Sequence, residues 1–407
     1  MEFRWDGDTE RRLEDFFAGI GDILGNDGRR ASFAQYAMGL LGEGERKSIE
    51  PIAARCCPDP EQVDAVHQRL QHFVTDSRWD DRSVRRFAAR HAVSAMTQRE
   101  PVVSWIVDDT GFLKQGDHSV GVQRQYTGSA GKIANSQVGT SLVVTTRTMH
   151  VAVDFDLYLP RSWTDDLRRR KEARIPADVE FKTKPQQAIT MLQRAVADGI
   201  PTGVVLSDCG FGDSNDFRDG VRALGLHYAV GVESKTKVRR VGGSGEASGP
   251  RMNLLALARK LRLQREFRRV TWRQGTNRDL WSTFAVARVV PSPHRPRQQP
   301  ETEAVWLLIE WPDGDPQPSH YFFVSIPNLS RKQMVRLVKE RYRTEAVYQE
   351  LKGEFGLDHF EGRRFAGWHH HVSVVLCCHA FVVAERAGRF SPSAARTTPA
   401  DPVTLAA

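Results

Sequence analysis

The chain has 407 residues, of which 40% are hydrophobic and 27% are charged. This length allows two or three domains with a sizeable core, and the composition is typical of a folded soluble protein, not a fibrous or disordered one. Five cysteines without a CxxC spacing argue against a zinc ribbon or a disulfide framework. No uncharged apolar run reaches the ~18 residues of a membrane span. We therefore expect a reduced, cytoplasmic protein without a membrane segment.

Positive charge is concentrated in one stretch of the chain. The formal net charge is +8, but residues 235–297 alone contain 16 Lys and Arg against three acids, so the remainder is net acidic. A basic block of this kind favours a polyanionic partner such as nucleic acid. The alternative is a solvated, arginine-rich loop.

Residues 1–98 are predicted to form an all-helical N-terminal domain. Apolar side chains recur there at helical spacing, as in Leu13, Phe16, Ile20 and Leu24. Such a domain either caps the core or binds DNA ends, and no helix-turn-helix signature decides between the two.

From residue 99 to residue 233 the pattern alternates between strands and helices. Three strands come first, the first of them ending in Asp108 and Asp109, and they are followed by a helix, a strand ending at Asp208, a second helix and a further strand. Strands that alternate with helices predict a mixed α/β sheet with parallel crossovers.

The basic block is predicted to be a β-rich insertion within this core, at residues 234–318. Residues 319–388 then return to the core with a strand and one long helix, predicted over 331–355. The tail at 389–407 is rich in Ser, Pro, Thr and Ala and is predicted to be disordered.

Two aspartates stand where a phosphodiester-cutting enzyme would need them. Such an enzyme holds two Mg²⁺ ions ~4 Å apart, and Mg²⁺ prefers carboxylate oxygens. Asp109 and Asp208 each end an apolar strand, where a rigid backbone presents a side chain to solvent. The simpler explanation for either residue alone is a turn or a helix cap.

The long helix carries a third acid. Arg341, Glu345, Tyr348 and Lys352 fall on one stripe of it. An acid flanked by two cations suits a metal ligand beside phosphate-binding groups. The alternative is a surface ion pair between Arg341 and Glu345.

Together these motifs resemble the DDE superfamily of insertion-sequence transposases, in particular the group with a Y-x2-R-x3-E-x6-K signature. The segment IVDDTG at 106–111 matches the first aspartate strand of that family, and LSDCG at 206–210 matches the second. The segments at 121–139 and 356–362 resemble those of one lineage within it. The resemblance covers residues 100–372, and it departs from the signature at Val338, where the family has tyrosine.

The resemblance implies a ribonuclease H-like core with a β-rich insertion before the last core helix. It implies a catalytic triad of Asp109, Asp208 and Glu345 that holds two Mg²⁺ or Mn²⁺ ions. Asp109 is preferred to Asp108 because the family pattern places the acid directly before threonine. Arg341 and Lys352 would hold DNA phosphates.

Further DNA contacts are expected on the helix stripe and in the basic block. These residues are Tyr348, Tyr321 as a stacking partner for a flipped base, and Arg262, Arg265, Arg268 and Arg269. For Tyr321 the alternative is a core strand residue.

The function implied is a bacterial DNA transposase that acts in the nucleoid. It would bind double-stranded DNA at the terminal inverted repeats of its own element and at a target, act as a homodimer in a synaptic complex, and need no ATP. The alternatives are a domesticated, non-catalytic DNA-binding protein and a structure-selective nuclease on the same fold.

Overall fold

The computed structural model describes residues 6–242, 247–274, 279–292 and 303–389. The tail predicted to be disordered lies, after Arg389, outside the described residues. Five helices fill the N-terminal region: α1 Gly7–Leu24, α2 Asp27–Leu41, α3 Ile49–Cys56, α4 Val63–Thr75 and α5 Asp81–Thr97. Asp6, Asn26 and Asp80 cap α1, α2 and α5 by accepting a backbone N–H of the first turn, as expected for Asp and Asn at these positions.

Among the residues that the structure describes, twelve strands form one mixed sheet. They are β1 Ser104–Leu113, β2 Gln123–Thr127, β3 Lys132–Thr145, β4 His150–Leu157, β5 Val204–Ser207, β6 Tyr228–Val232, β7 Lys237–Val241, β8 Ala247–Asn253, β9 Arg268–Gln274, β10 Asp279–Pro291, β11 Val305–Trp311 and β12 His320–Val324. The order is β2-β3-β1-β5-β6-β12-β11-β10-β7-β8, with β4 on β3 and β9 on β10. The strands β1, β5 and β6 are parallel, and the others pair antiparallel. The predicted mixed α/β class is confirmed.

The basic stretch is continuous with the core. Its strands β7 to β11 reach the core through β12, which is hydrogen-bonded to β6. It also contains one helix, α11 Leu254–Leu263, that the β-rich prediction did not include.

The sheet is flanked by helices. Between β4 and β6 they are α6 Arg161–Thr164, α7 Leu167–Ala173, α8 Lys184–Ala197, α9 Cys209–Gly212 and α10 Asn215–Ala223. After β12 come α12 Arg331–Lys339, α13 Tyr342–Gly353 and α14 Phe365–Arg389.

The single helix predicted over 331–355 is in fact two helices, α12 and α13. At the junction, the N–H of Glu340 bonds to Leu337 and that of Arg343 bonds to Glu340, which is the tighter i→i+3 pattern. The break has a packing reason, because α12 lies against the insertion strands β9, β10 and β11 while α13 lies against β1 and β4.

The last helix, α14, lies inside the fold. Its segment Phe365–Gly388 is long and apolar enough to cross a membrane, yet 89% of its most apolar window is buried in the protein. It packs against β4 and against α2, α4 and α5. Cys377 and Cys378 are buried there.

Candidate active site

The two acids of β1 point to opposite faces of the sheet. Asp108 is paired with Ser141 of β3, and Asp109 with Thr140. The Ser141 hydroxyl bonds to Tyr348 of α13 at 2.6 Å, whereas Thr140 bonds to a side chain of α8. Directly opposed residues share a face, so Asp108 faces α13 and Asp109 faces α8.

Each of these acids has a cationic partner on its own face. Arg341 Nη1 lies 2.6 Å from Asp108 Oδ2, and Lys184 Nζ lies 2.8 Å from Asp109 Oδ2. Burial raises the pKa of Asp108 to about 7, with Arg341 opposing the shift and the charge of Asp208 adding to it. The ion pair with Arg341 therefore offsets only part of the cost of burying this carboxyl group.

Asp208 directly follows β5, the parallel neighbour of β1. Its Oδ1 accepts the N–H of Gly210 at 2.9 Å, so it also caps α9. Burial raises the pKa of Asp208; Arg341 opposes this and the negative charge of Asp109 reinforces it. Because β1 and β5 are parallel and Ile106 is paired with Leu206, Asp208 at the end of β5 lies level with Asp108 in the middle of β1.

Arg341 interacts electrostatically with three acids, Asp108, Asp208 and Glu345. Burial acts to lower the pKa of Arg341, but the negative charges of these acids outweigh burial and raise it. Asp208, Arg341 and Glu345 line one open cleft with an empty volume of about 1430 Å³. The structure thus brings Asp208 and Glu345 to one cleft. Asp108 is joined to them through its ion pair with Arg341, whereas the carboxylate of Asp109 pairs with Lys184 on the α8 face.

The donor chemistry of these acids suits a hard divalent cation. Their side chains offer only carboxylate oxygens, and Mg²⁺ is commonly held by one or two carboxylates together with waters and substrate phosphates. Within the described ranges, no three His, Cys, Asp or Glu side chains are grouped closely enough to hold a metal by themselves. The residues fit such an ion by ligand type, with phosphate oxygens completing its shell.

The comparison with known proteins agrees with this arrangement. The family model described as DDE superfamily endonuclease matches residues 15–279, which include both β1 acids and Asp208. The chain belongs to this DDE family. The match ends before Glu345, so the role of α13 depends on the geometry and on the motif alone.

A curated relative of this family member is the probable transposase for insertion sequence element IS701 from Microchaete diplosiphon. The two are 28% identical over 204 residues, which is 50% of this chain and 49% of the relative. The chain thus matches about half the length of that relative.

Lys352 and Tyr348, both predicted to contact DNA, have their polar atoms bonded inside the DDE chain. Lys352 Nζ donates to the hydroxyl of Thr110 and to the carbonyl of Gly111, both at 2.9 Å. Burial lowers the pKa of Lys352. Tyr348 packs on the core, and its hydroxyl bonds to Ser141. Their DNA contacts stay predictions, and the structure adds a role for both in holding α13 on the sheet.

Tyr321 is a buried residue of β12, only 5% exposed. Its hydroxyl has no hydrogen-bond partner among the described residues, and burial raises its pKa to about 12. The neighbouring rings of His320 and Phe322 stack at 6.0 Å, and all three residues line the cleft. The base-stacking role of Tyr321 stays a prediction, while its burial matches the alternative of a core residue.

The four arginines predicted to contact DNA are exposed. Arg262 and Arg265 lie at the end of α11 and just after it, and Arg268 and Arg269 begin β9. The guanidinium of Arg262 stacks over Trp311 at 4.1 Å, and that of Arg269 stacks over Trp281 at 3.9 Å. Aromatic stacking holds these cations in place without neutralising them.

Sequence reasoning missed Lys184 and the ion pair between Asp108 and Arg341. Strand alternation alone shows that Asp108 and Asp109 must face opposite ways. Which of them faces α13 depends on the pairing of β1 with β3, and no local pattern in the sequence carries that information.

Proposed function

We propose that the chain is the transposase of a bacterial insertion sequence. It cuts DNA at the ends of its own element, and the freed 3′-hydroxyl then attacks a phosphodiester of target DNA. The observation that carries the proposal is the meeting of acids from β1, β5 and α13 around Arg341. The name of the IS701 relative, a probable transposase, supports it. The order β3-β1-β5-β6, with β1, β5 and β6 parallel, supports a ribonuclease H-like core.

The residues proposed to hold two Mg²⁺ or Mn²⁺ ions are Asp208, Glu345 and an acid of β1. When bound there, the ions supply Lewis-acid activation of water and neutralise charge on the scissile phosphate. Arg341 neutralises the acids in the DNA-free protein, and its planar fork suits a phosphate oxygen pair once DNA enters the cleft. The chain itself therefore supplies ligands, positioning and charge.

The acid contributed by β1 has two candidates. The family motif predicts Asp109, which directly precedes Thr110. The geometry favours Asp108, because its carboxylate shares a face with Glu345 and contacts Arg341. Both residues lie close enough to the other acids to perturb their titration.

The DNA partner is proposed from the charge of the insertion. The strands of the insertion belong to the same sheet as β1 and β5, so one duplex can contact both the exposed arginines and the acids. We infer that this duplex is an inverted repeat of the element, that two copies of the chain bring two ends together, and that the joining step exchanges one phosphodiester for another without ATP.

The test uses purified full-length protein, duplexes that carry the element end with its flanking DNA, a target plasmid and MgCl₂. We expect cuts at the element boundary and joined products. Asp208→Asn and Glu345→Gln should lose both products and keep duplex binding. Binding without cutting by the wild type would identify a non-catalytic DNA-binding protein. Cutting of branched DNA without joined products would identify a structure-selective nuclease.

A further inference from the structure

The hairpin of β2 and β3 extends beyond the acid site and has no role in the chemistry proposed above. Tyr126 and Ile133 are directly opposed in its register, and their exposures are 66% and 60%. An aromatic and an aliphatic side chain together form an exposed apolar pair, a feature that marks binding surfaces more than scattered single residues do. Arg124 lies on the same face as this pair, whereas Lys132, the partner of Thr127, lies on the opposite face of the hairpin. We call Arg124, Tyr126 and Ile133 the hairpin face.

The hairpin is positively charged. Arg124 is exposed on the hairpin face and Lys132 is exposed on the opposite side of the same hairpin. Neither makes an ion pair within the part of the chain that the structure describes. No Asp or Glu occurs from residue 118 to residue 153. Cations that have no acidic neighbours attract a negatively charged partner, and the phosphate backbone of a nucleic acid is such a partner. An apolar pair beside them can contact a groove of the same nucleic acid.

Strand register places the hairpin face on the same side of the sheet as the acid site. Ile133 and Gln137 share a face of β3, and Gln137 is paired with Phe112, which shares a face of β1 with Asp108. Ser141, the partner of Asp108, lies eight residues along β3 from Ile133. This separation is ~26 Å at ~3.3 Å per residue.

The hairpin is fixed to the strand that bears the acids. Ser129 Oγ donates to the carbonyl of Gly111 at 3.1 Å, and Thr127 and Ser129 bond to each other at 2.9 Å. A Cβ at Gly111 would lie 1.6 Å from the Thr127 hydroxyl, so only glycine permits this contact. These contacts fix the position of the hairpin face relative to the acids of β1.

We propose that the hairpin face binds duplex DNA at ~8 base pairs from the scissile phosphate, given ~3.4 Å per base pair. Tyr126 and Ile133 enter a groove, as two-stranded ribbons and apolar wedges do, while Arg124 on the same face and Lys132 on the other side of the hairpin contact the phosphates that border the groove. The inference rests on the proposed function for the position of the cut and adds a second DNA contact outside the basic insertion.

The test is fluorescence anisotropy of full-length protein with a labelled duplex that carries the element end. Tyr126→Ser with Ile133→Thr should weaken binding roughly tenfold without changing the salt dependence. Arg124→Ala with Lys132→Ala should lower the slope of log affinity against log salt by roughly 2 units. The matched control is Leu113→Thr, because Leu113 is 59% exposed but pairs with Ser136 on the opposite face. Thermal unfolding checks that each variant is folded.

Directed cleavage locates the contact. Iron–EDTA attached at Ala130→Cys, in a Cys209→Ser background, should cut DNA at roughly 6–10 base pairs from the element boundary. Unchanged affinity of both hairpin variants beside wild-type binding would overturn the inference and leave the proposed function intact. A changed oligomeric mass with unchanged DNA affinity would likewise overturn it, in favour of self-association. If the Asp208 and Glu345 variants still cut DNA while the hairpin variants bind weakly, the catalytic assignment fails and the hairpin contact stands.

Discussion

Asp108 and Asp109 are adjacent in sequence, yet β1 presents them to different helices and different cations. At most one of these carboxylates can share a face with Glu345, because neighbouring strand residues alternate. The aspartate that binds metal therefore determines on which face of the sheet the DNA is cut.

We expect Asp108→Asn to lower metal-dependent cleavage by more than roughly 100-fold, since loss of a metal ligand costs more than loss of an outer contact to that ligand. Asp109→Asn should retain cleavage within roughly tenfold of the wild type. Single-turnover cleavage with saturating duplex measures both, and anisotropy controls for DNA binding. The reverse order of the two variants would establish Asp109, the residue of the family motif, as the ligand.

Lys352 was predicted to contact DNA because of its charge, yet in the DNA-free protein its ammonium group makes two hydrogen bonds to β1. We expect Lys352→Ala to lower the free energy of unfolding by about 1–2 kcal/mol, because Thr110 and Gly111 lose their donor. Urea unfolding of the DNA-free protein measures this. The matched control is Lys332→Ala on the exposed side of α12, expected within about 0.5 kcal/mol of the wild type. Equal stability of the two variants would leave Lys352 as a purely DNA-directed residue.

At the scale of the element, α14 buries histidines in the core. Burial lowers the pKa of His369 and of His371 to about 4. A histidine whose pKa is lowered on folding stabilises the fold fully above its unfolded pKa of ~6.5, and this stability is lost as the pH falls toward the folded pKa. The window for these two histidines is therefore about pH 6.5 to 4.

We expect the free energy of unfolding to fall by roughly 3 kcal/mol between pH 7 and pH 5.5, since each histidine contributes about 1.4 kcal/mol per pH unit. Urea unfolding across this range measures it. His371→Gln should lower the slope by the share of one histidine, about 1.4 kcal/mol per pH unit. Loss of the hydrogen bond to Tyr36 should also make the variant less stable at pH 7. Glu350 acts in a different window: His150 and His379 outweigh burial and lower its pKa, so its contribution is lost only below about pH 4.3. A flat profile above pH 5 would contradict the burial of neutral histidines.

The basic insertion is the element that should govern salt dependence. Changing Arg262, Arg265, Arg268 and Arg269 to Ala should lower the slope of log affinity against log salt by roughly 3–4 units, about 0.9 per phosphate contact. Anisotropy at several salt concentrations measures the slope. Arg11→Ala with Arg46→Ala is the control, because both side chains are exposed in the N-terminal region, at 70% and 73%. An unchanged slope would mean that these arginines are solvated and bind no phosphate.

At the scale of the whole molecule, one hydrophobic core joins the N-terminal helices to the end of the chain. Buried residues from α1 to α5, from the sheet and from α14 belong to a single cluster. Polar contacts cross the same boundary: Arg12 bonds to Glu385 through both carboxylate oxygens, and Arg85 bonds to Ser373. The helical region shares one hydrophobic core with the sheet.

We expect a fragment of residues 99–389 to be insoluble or unfolded, because it would expose the apolar face of α14. The same preparation of residues 1–389 should remain soluble and unfold cooperatively. Circular dichroism and analytical ultracentrifugation compare the two. A folded, monomeric 99–389 fragment would show that the N-terminal helices are a separable domain.

The sequence located β1 and β5, because apolar runs followed by acids are local patterns. Only Asp208 follows its strand as predicted; β1 does not end at Asp109 but continues to Leu113, and the strand β2 was not predicted. The sequence was not sufficient for the orientation of the β1 acids, which depends on the register of Asp108 with Ser141. It also missed the break at Glu340, since the helical periodicity of residues 331–355 continues through it. Both features come from packing between segments that are not adjacent in the sequence.

The position of α14 sets an order of events during synthesis. The first five helices are complete at Thr97, but the helix that covers them begins at Phe365. At ~5–20 residues per second, a ribosome needs roughly 13–55 seconds to make the intervening chain. Through that interval the apolar faces of the N-terminal helices lack their final partner, so the nascent protein depends on chaperones or on transient collapse to avoid aggregation. The N-terminal helices are therefore covered only after α14 has been translated.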